Sequence, residues 1–246
     1  RAKWSNFARW FLKLSEAVAV RFAHAVITDN KVLQEYVTAE YNKPSELIAY
    51  GGDQARAGEP SVQARQAYPF LAAPYAFTVC RIEPENNIHV ILEAFAGSGM
   101  PLAIIGNWNH SEYGVQLRKQ YEGVSNIHLL DPIYDVEQLS PLRSNATVYL
   151  HGHSAGGTNP SLVEAMWLGL PVVAFDVSFN RATTEDQALY FADSASLRNH
   201  VQALLGDAEA RANLSTRLHE IANRRYRWSV VAEQYRSVFI RLLGNR

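Results

Sequence analysis

From residue 75 onward, short apolar runs alternate with longer stretches whose apolar residues recur at helical spacing. This alternation predicts an α/β protein with a Rossmann-like, doubly wound parallel sheet over residues 75–225. The predicted strands are 77–80, 102–105, 127–130, 147–150, 172–175 and 189–191. The predicted helices are 87–96, 111–122, 135–143, one that starts near 159, 194–206 and 208–223.

The residues on either side of this region have a different pattern. Residues 1–53 predict only helix 3–23, strand 25–28, a helix ending near Tyr41 and strand 47–50. Two strands cannot form a parallel sheet covered on both faces, so we expect the tail end of an N-terminal domain. The alternative is that residues 1–53 pack directly on the predicted Rossmann-like domain. Residues 54–74 predict a linker, and 226–246 hold an amphipathic helix.

Composition narrows the class of protein. The net charge of -1 implies no general attraction to nucleic acid, and we predict no nucleic-acid partner. Cys80 is the single cysteine, which precludes an intrachain disulfide and fits a reducing compartment. We therefore predict a cytoplasmic protein.

The first predicted helix combines aromatic and basic residues. Two interpretations are open: an interfacial helix in peripheral contact with the inner face of the membrane, or a stripe in the core or at a domain interface. The aromatic residues are Trp4, Phe7, Trp10 and Phe11, beside Arg1, Lys3, Arg9 and Lys13.

The stretch 146–175 predicts a strand, a glycine loop, a helix and a second strand. Asn159 is a favourable N-cap for that helix, and Pro160 suits its first position. Unpaired amides and the positive end of the helix dipole form an anion site there, so the loop predicts a diphosphate cradle. The alternative is a glycine-rich turn before a well-capped helix. The backbone or hydroxyl groups would come from Gly156, Gly157, Thr158 and Ser161.

Three titratable residues within the stretch 146–175 are candidates for chemistry. Glu164 lies one turn beyond the cap among apolar neighbours, where it either accepts ribose hydroxyls or only stabilises the helix. His151 and His153 form a His-x-His pair for which hydrogen bonding to substrate or phosphate, a structural role and zinc binding are alternatives.

Arg81 follows the first strand of the series, at the sheet edge where ligands bind. It can clamp phosphate oxygens or pair with Glu83 or Glu85. The loop 131–135 ends another strand and either contacts a base or only turns the chain.

Together these residues resemble the C-terminal half of a GT-B glycosyltransferase of the retaining family 4, most closely its rhamnosyltransferase-like branch. The resemblance extends over nearly the whole chain. It is carried by CRIEPENNIHVILEAF (80–95), LLDPIYDVEQL (129–139), HGHSAGGTNPSLVEAMWLGLPVVAFD (151–176) and RYRWSVVAEQY (225–235).

The resemblance implies a role for each segment. Glu164 would hold the ribose, and the groups around 157–161 would hold the diphosphate. Arg81 would neutralise the charge of that diphosphate. Ile133 and Tyr134 would contact the base. Arg81 and Glu164 are thus the predicted catalytic residues. The last helix would cross back to brace the N-terminal domain.

Two positions depart from the family pattern. The family has a second glutamate where this chain has Gly156, and a lysine where it has Asn86. Sugar contact at 156 and charge at 86 are therefore lost, although both positions stay among the predicted donor-binding residues.

The resemblance implies transfer of a hexose or deoxyhexose, such as rhamnose, from a dTDP- or UDP-sugar to a glycan or lipid-linked acceptor. The pathway would be bacterial surface polysaccharide synthesis, with no metal or other cofactor. We expect the chain to be a fragment that is inactive alone. A non-catalytic nucleotide-binding module is the alternative, and an epimerase or dehydrogenase is disfavoured because the dinucleotide fingerprint is missing.

Overall fold

The computed structural model describes residues 4–244. The chain begins with a small unit of two helices and two strands. Its strands pair in parallel with Ile27 opposite Glu46, apart from the main sheet. The elements are α1 (Asn6–Phe22), β1 (Ile27–Thr28), α2 (Lys31–Tyr41) and β2 (Glu46–Leu47). Asn30 caps the second helix, because its side chain accepts a hydrogen bond from the Val32 amide.

A six-stranded parallel sheet forms the centre of the molecule, and its strand interiors are apolar and buried. The predicted Rossmann-like architecture is confirmed. The strands are β3 (Ala76–Val79), β4 (Leu102–Ile105), β5 (Ile127–Leu130), β6 (Val148–His151), β7 (Val172–Phe175) and β8 (Leu189–Phe191).

Helices cover both faces of this sheet, as parallel strands require. Ile88, Ile91, Leu92 and Phe95 show how one helix is held, because this apolar stripe is fully buried. The helices are α3 (Val62–Ala67), α4 (Ile88–Phe95), α5 (Glu112–Tyr121), α6 (Val136–Ser144), α7 (Pro160–Trp167), α8 (Ser178–Thr184), α9 (Ser194–Gly206), α10 (Ala208–Arg225) and α11 (Trp228–Gly244).

The strand order is β5-β4-β3-β6-β7-β8, so the chain runs outward from β3 on one side and from β6 on the other. This reversal is the topological switch point of a doubly wound sheet. Pairing between β3 and β6 ends at Phe77 and Tyr149, although β3 continues to Val79 and β6 to His151. The two strands therefore part at their carboxyl ends, where a ligand crevice is expected.

The predicted linker 54–74 contains more structure than its composition suggested. It holds α3, capped by the Ser61 hydroxyl, and a 3-10 turn at Pro69–Ala72. Phe70 anchors that turn because its ring is buried against Tyr75 and His128.

The final helix packs against the N-terminal unit. Val231 and Val238 share a small apolar cluster with Ile48, which Ala25 and Ile27 border. Helix α1 instead contacts α2, where the Tyr36 and Tyr41 hydroxyls donate to Glu16.

The aromatic stripe of α1 is exposed. Phe7 is 72%, Trp10 60% and Phe11 54% accessible, so the interpretation of these side chains as core residues is wrong for the described chain. Within residues 4–244, no helix has the length and apolar character needed to cross a bilayer.

Candidate functional site

The loops that follow β3 and β6 meet at the switch point and are joined by hydrogen bonds. The Asn87 side-chain amide donates to the Gly152 carbonyl at 2.8 Å. The Ser154 amide and hydroxyl both donate to the Glu85 carbonyl, each at 2.8 Å. Loop 81–87 and loop 152–158 are thus held together at the edge where the sheet can bind a ligand.

Asn86 has a structural task in this junction. It is 1% exposed, and its amide donates to the Arg81 carbonyl at 2.7 Å. A Cβ at Gly152 would lie 2.1 Å from the Asn86 carbonyl oxygen, so glycine is needed for the approach of the two loops. The Asn86 side chain fixes the backbone that carries Arg81.

The Arg81 side chain is 72% exposed, and Nη1 lies 3.4 Å from Glu83 Oε1. The predicted pairing with Glu83 is therefore present, but an exposed pair of this length contributes little to stability. The guanidinium keeps most of its donors available to an anion.

A pocket of about 380 Å³ opens beside Arg81 at the carboxyl ends of β3, β4 and β5. Its walls are mainly apolar, as expected for a site that encloses a planar ring. The structure brings Arg81, Ile133 and Tyr134 together here, whereas the lining does not include Glu164 or the glycine loop. The other lining residues are Val79, Cys80, Ile82, Ile105, Gly106, Asn107, His110 and Pro132. A hollow of about 490 Å³ between β2 and α11 contains none of the predicted site residues.

The start of α7 is capped as predicted. The Asn159 side chain accepts from the Ser161 amide at 3.2 Å and from the Ser161 hydroxyl at 2.8 Å, and Pro160 occupies the first turn. Gly156 has a φ of +124° with open space where a side chain would project. The loop therefore has the glycine geometry and the helix start of an anion cradle.

The N-terminal unit reaches directly into this loop. The Thr158 hydroxyl donates to the Asp29 carbonyl at 2.5 Å, and the Asn30 amide donates to the Thr158 hydroxyl at 3.3 Å. Asn30 also donates to Thr183 and the Phe179 carbonyl, both at 3.2 Å. The Thr158 hydroxyl thus ties the N-terminal unit to the sheet domain.

Asp29 itself faces the loop. A Cβ at Gly157 would lie 2.1 Å from Asp29 Oδ1, and this oxygen is buried without a hydrogen-bond partner. Burial raises the pKa of the Asp29 carboxyl, and backbone hydrogen bonds at Asp29 and Thr158 partly oppose the shift. A carboxylate therefore shares the space next to the predicted cradle.

Glu164 has partners within the chain. Arg143 Nη1 forms an ion pair with Oε2, and the Gln54 amide donates to Oε1 at 2.7 Å. Arg143 is almost fully buried, and the Glu164 side chain is 19% exposed. The charge on this mainly apolar helix is balanced by Arg143, so its presence alone does not require a ligand.

His151 and His153 form a stack rather than diverging toward a ligand. Their ring centroids are 4.4 Å apart with an angle of 11° between the ring planes, and the Tyr149 ring also stacks with His151 at 6.1 Å. Burial and then His153 lower the pKa of His151 well below 6.5, and burial and then Arg81 lower the pKa of His153 to about 4. Both rings are neutral near pH 7.

The described part of the chain holds no cluster of side chains suited to a metal ion. No group of three His, Cys, Asp or Glu side chains there lies close enough together to hold an ion.

Sequence reasoning missed several residues of this site, namely Asp29, Gln54, Asn107, His110 and Arg143. Asn107 and His110 follow β4, so the rule that ligands bind at strand ends was a usable signal. Asp29 contacts Thr158 and Gln54 contacts Glu164, and each pair is separated by more than a hundred residues of sequence. No local sequence pattern indicates such contacts.

The strand order and the crevice between β3 and β6 define a Rossmann-like α/β protein. The sequence profile described as "Glycosyl transferases group 1" matches residues 64–220, and the chain belongs to this family. A domain of unknown function, DUF1972, matches residues 1–53.

One similar protein is a phosphatidyl-myo-inositol mannosyltransferase from Mycobacterium leprae. It is 33% identical over 183 residues, which cover 70% of this chain and 47% of that protein. The chain thus spans about half the length of this curated relative.

Solved structures show the same fold. Sucrose-phosphate synthase from Thermosynechococcus elongatus superposes with a TM-score of 0.79 at 21% identity, covering 95% of this chain and 62% of that one. HepE from Anabaena, solved with UDP-glucose, gives 0.79 at 19% identity, covering 95% and 67%. The predicted relation to GT-B glycosyltransferases is confirmed, and the rhamnosyltransferase branch stays a prediction.

Proposed function

We propose that this chain is the donor-binding part of a glycosyltransferase that moves a hexose or deoxyhexose from a nucleoside-diphosphate sugar to a glycan. The observation that carries the proposal is the crevice at the switch point, where the Arg81 loop lines a pocket large enough for a base and is hydrogen-bonded to the loop that leads into α7. Membership in the glycosyltransferase family supports the same reaction class.

Each part of the donor has a matching part of the site. The base enters the pocket at Ile133 and Tyr134. The pentose hydroxyls donate to Glu164, and the diphosphate lies between Arg81 and the positive end of the α7 dipole. His153 is the histidine of the pair nearer to Arg81, whose charge contributes to its lowered pKa, and it offers a neutral ring to donor oxygens.

In the transfer step, the bond between the anomeric carbon and the β-phosphate oxygen breaks. The acceptor hydroxyl oxygen bonds to that carbon, the electron pair of the broken bond leaves with the nucleoside diphosphate, and the acceptor proton passes to an oxygen of that departing diphosphate. Arg81 and the positive end of the α7 dipole stabilise the negative charge that develops on the leaving group. They supply this charge compensation without a metal. Retention of configuration is part of the proposal and rests on the family resemblance.

The sugar and acceptor are proposed from the relatives. The mannosyltransferase from Mycobacterium leprae supports a hexose, and resemblance to the rhamnosyltransferase-like branch supports rhamnose and bacterial surface polysaccharide synthesis. A lipid-linked acceptor would bring the protein to the inner face of the membrane. The exposed aromatic residues Phe7, Trp10 and Phe11 are suited to such a surface, and co-sedimentation with anionic liposomes tests this contact.

Calorimetric titration with UDP and dTDP tests the donor site. We expect one of the two to bind, and binding to weaken on Arg81→Ala. If neither nucleotide binds, the proposed function is wrong. Transfer from the matching sugar nucleotide to a lipid-linked acceptor, by a protein of the length of the relative from Mycobacterium leprae, tests catalysis. Nucleotide binding without any transfer would instead support the non-catalytic module.

A further inference from the structure

The carboxylate of Glu164 is held at both oxygens by residues from distant parts of the chain. Arg143, near the end of α6, pairs with Oε2, and Gln54, in the segment after β2, donates to Oε1 at 2.7 Å. A carboxylate held at two points cannot rotate freely about its last torsion. Its remaining acceptor directions are therefore fixed relative to α7.

The held carboxylate retains capacity for a ligand. An ionised carboxylate has about four lone-pair positions, and these two contacts leave one free on each oxygen. The Glu164 side chain is 19% exposed, so the free positions are not sealed from solvent. Because Arg143 balances the charge, a diphosphate nearby meets a neutral pair rather than a bare anion.

Gln54 is in turn oriented by Trp228. The indole Nε1–H donates to Gln54 Oε1 at 2.7 Å, which leaves the amide Nε2 to donate to Glu164. The Trp228 amide also donates to Asp53 Oδ1 at 2.8 Å. The two donors from Trp228 fix both the position and the amide orientation of this segment.

The close packing of this segment depends on two glycines. A Cβ at Gly51 would lie 2.5 Å from the Trp228 ring, and one at Gly52 would lie 2.6 Å from the Val163 carbonyl oxygen. The segment 51–54 is thus pressed between the start of α11 and the backbone of α7, next to Glu164.

We propose that Gln54 and Arg143 are positioning residues that fix the Glu164 carboxylate for the pentose hydroxyls of the donor nucleotide, and that Trp228 holds Gln54 in its orientation. This inference rests on the proposed function. If it is correct, nucleotide affinity depends on the position of α11, which carries Trp228. The same helix packs on the N-terminal unit through Val231 and Val238. The two ends of the chain and the donor site are then energetically linked.

The test compares Gln54→Leu with a matched control, Gln116→Leu. Gln116 also donates to a glutamate, Glu112, at 3.2 Å, but on an exposed face of α5. Affinities are measured by calorimetry for UDP, which has two pentose hydroxyls, or dTDP, which has only the 3′-hydroxyl, whichever binds. The same nucleotide is then measured in its 2′,3′-dideoxy form, which has neither.

We expect Gln54→Leu to weaken the hydroxyl-bearing nucleotide about tenfold, as for one hydrogen bond to a charged group. Affinity for the dideoxynucleotide should stay unchanged, because its sugar has no hydroxyl for Glu164 to accept. Gln116→Leu should change neither value. Trp228→Phe removes the indole donor, so it should weaken the hydroxyl-bearing nucleotide by a smaller factor and leave the dideoxynucleotide unchanged. Trp10→Phe is its control and should change neither affinity.

Equal losses for both nucleotides on Gln54→Leu would show a general structural effect and overturn the inference. Unchanged affinity for both would also overturn it, while leaving the donor site itself intact. If the unmodified protein binds neither UDP nor dTDP, the proposed function fails first, and the inference falls with it. In a Glu164→Ala background, Gln54→Leu should have no further effect on nucleotide affinity, and a further loss there would overturn the inference.

Discussion

Asp29 lies against Gly157 so closely that a Cβ at position 157 would fall 2.1 Å from Asp29 Oδ1. The two residues belong to different parts of the fold, the N-terminal unit and the loop before α7. The absence of a side chain at 157 therefore allows the N-terminal unit to seat on the predicted diphosphate cradle. This contact explains why glycine is needed there, in addition to any approach of a ligand.

Gly157→Ala should destabilise the protein. The new methyl group and the Asp29 carboxylate cannot occupy the same space, so the Asp29 side chain or the loop must move. Overpacking of this kind costs about 1–3 kcal/mol, which chemical denaturation can measure. Asp29→Ala combined with Gly157→Ala should cost less than the sum of the two single changes.

Gly206→Ala is the matched control, because a Cβ there would meet nothing within 4 Å. It should leave the free energy of unfolding unchanged or slightly raised. If Gly157→Ala behaved like this control, the packing of Asp29 against the loop would be wrong.

Arg81→Ala should weaken nucleoside diphosphate binding without affecting stability. Arg81 is 72% exposed, and its pair with Glu83 is long, so the folded state loses little. Loss of a charge-assisted contact to phosphate should reduce affinity about tenfold or more. Titration at two salt concentrations should show a shallower salt dependence in the variant.

Arg236→Ala provides the comparison for this effect. Arg236 is 69% exposed and pairs with Glu233 at 3.2 Å on α11, so it reproduces the surface environment away from the crevice. Equal affinity losses in the two variants would point to net charge rather than to a contact from Arg81.

The stacked histidines should make stability fall as the pH is lowered. Burial, and then the charge of Arg81, lower the pKa of His153 to about 4 in the folded protein, whereas the unfolded chain titrates near 6.5. Between these values the unfolded state binds a proton that the folded state does not. From pH 6.5 to 4 this linkage should remove about 3 kcal/mol of the free energy of unfolding.

His153→Gln should flatten that dependence. The measurement is urea denaturation at several pH values, with the slope compared between the variant and the unmodified protein. His151 adds a shift in the same direction, so the variant should keep part of the slope. A slope unaltered by the substitution would mean that His153 is accessible to protons in the folded state.

The sheet and the helix starts were largely predictable, because their signals are local. β4, β5, β7 and β8 have the predicted bounds, since each is an apolar run closed by polar or turn residues. Asn159 caps its helix as the sequence indicated, and α6 begins within one residue of the predicted start because Asp135 caps it. Helix α8 was missed, because its buried residues are polar: Asn180 donates to the carbonyls of His153 and Phe175.

The partners of the candidate site residues were not predictable, for a different physical reason. Glu164 meets Gln54 across 110 residues of sequence, and Asp29 meets Thr158 across 129. Such pairings depend on how the N-terminal unit and α11 dock on the sheet domain. No pattern of period two or 3.6 within a segment contains that information.

The ion pair between Arg143 and Glu164 should give the largest effect on stability. Arg143 is 6% exposed, and its Nε has no hydrogen-bond partner, so Glu164 is the main compensation for its buried charge. Glu164→Ala should therefore cost about 3–5 kcal/mol, and Arg143→Met should also destabilise by leaving the carboxylate unpaired.

Replacing both residues should cost less than the sum of the single changes, because no uncompensated charge remains. Thermal and urea denaturation of the two single variants and the double variant give this coupling energy. Additive costs would mean that the ion pair does not form in solution, and Glu164 would then be free to turn fully toward a ligand. A large coupling has a practical consequence for nucleotide titrations: weakened binding in Glu164→Ala must be measured at a temperature where that variant is still folded.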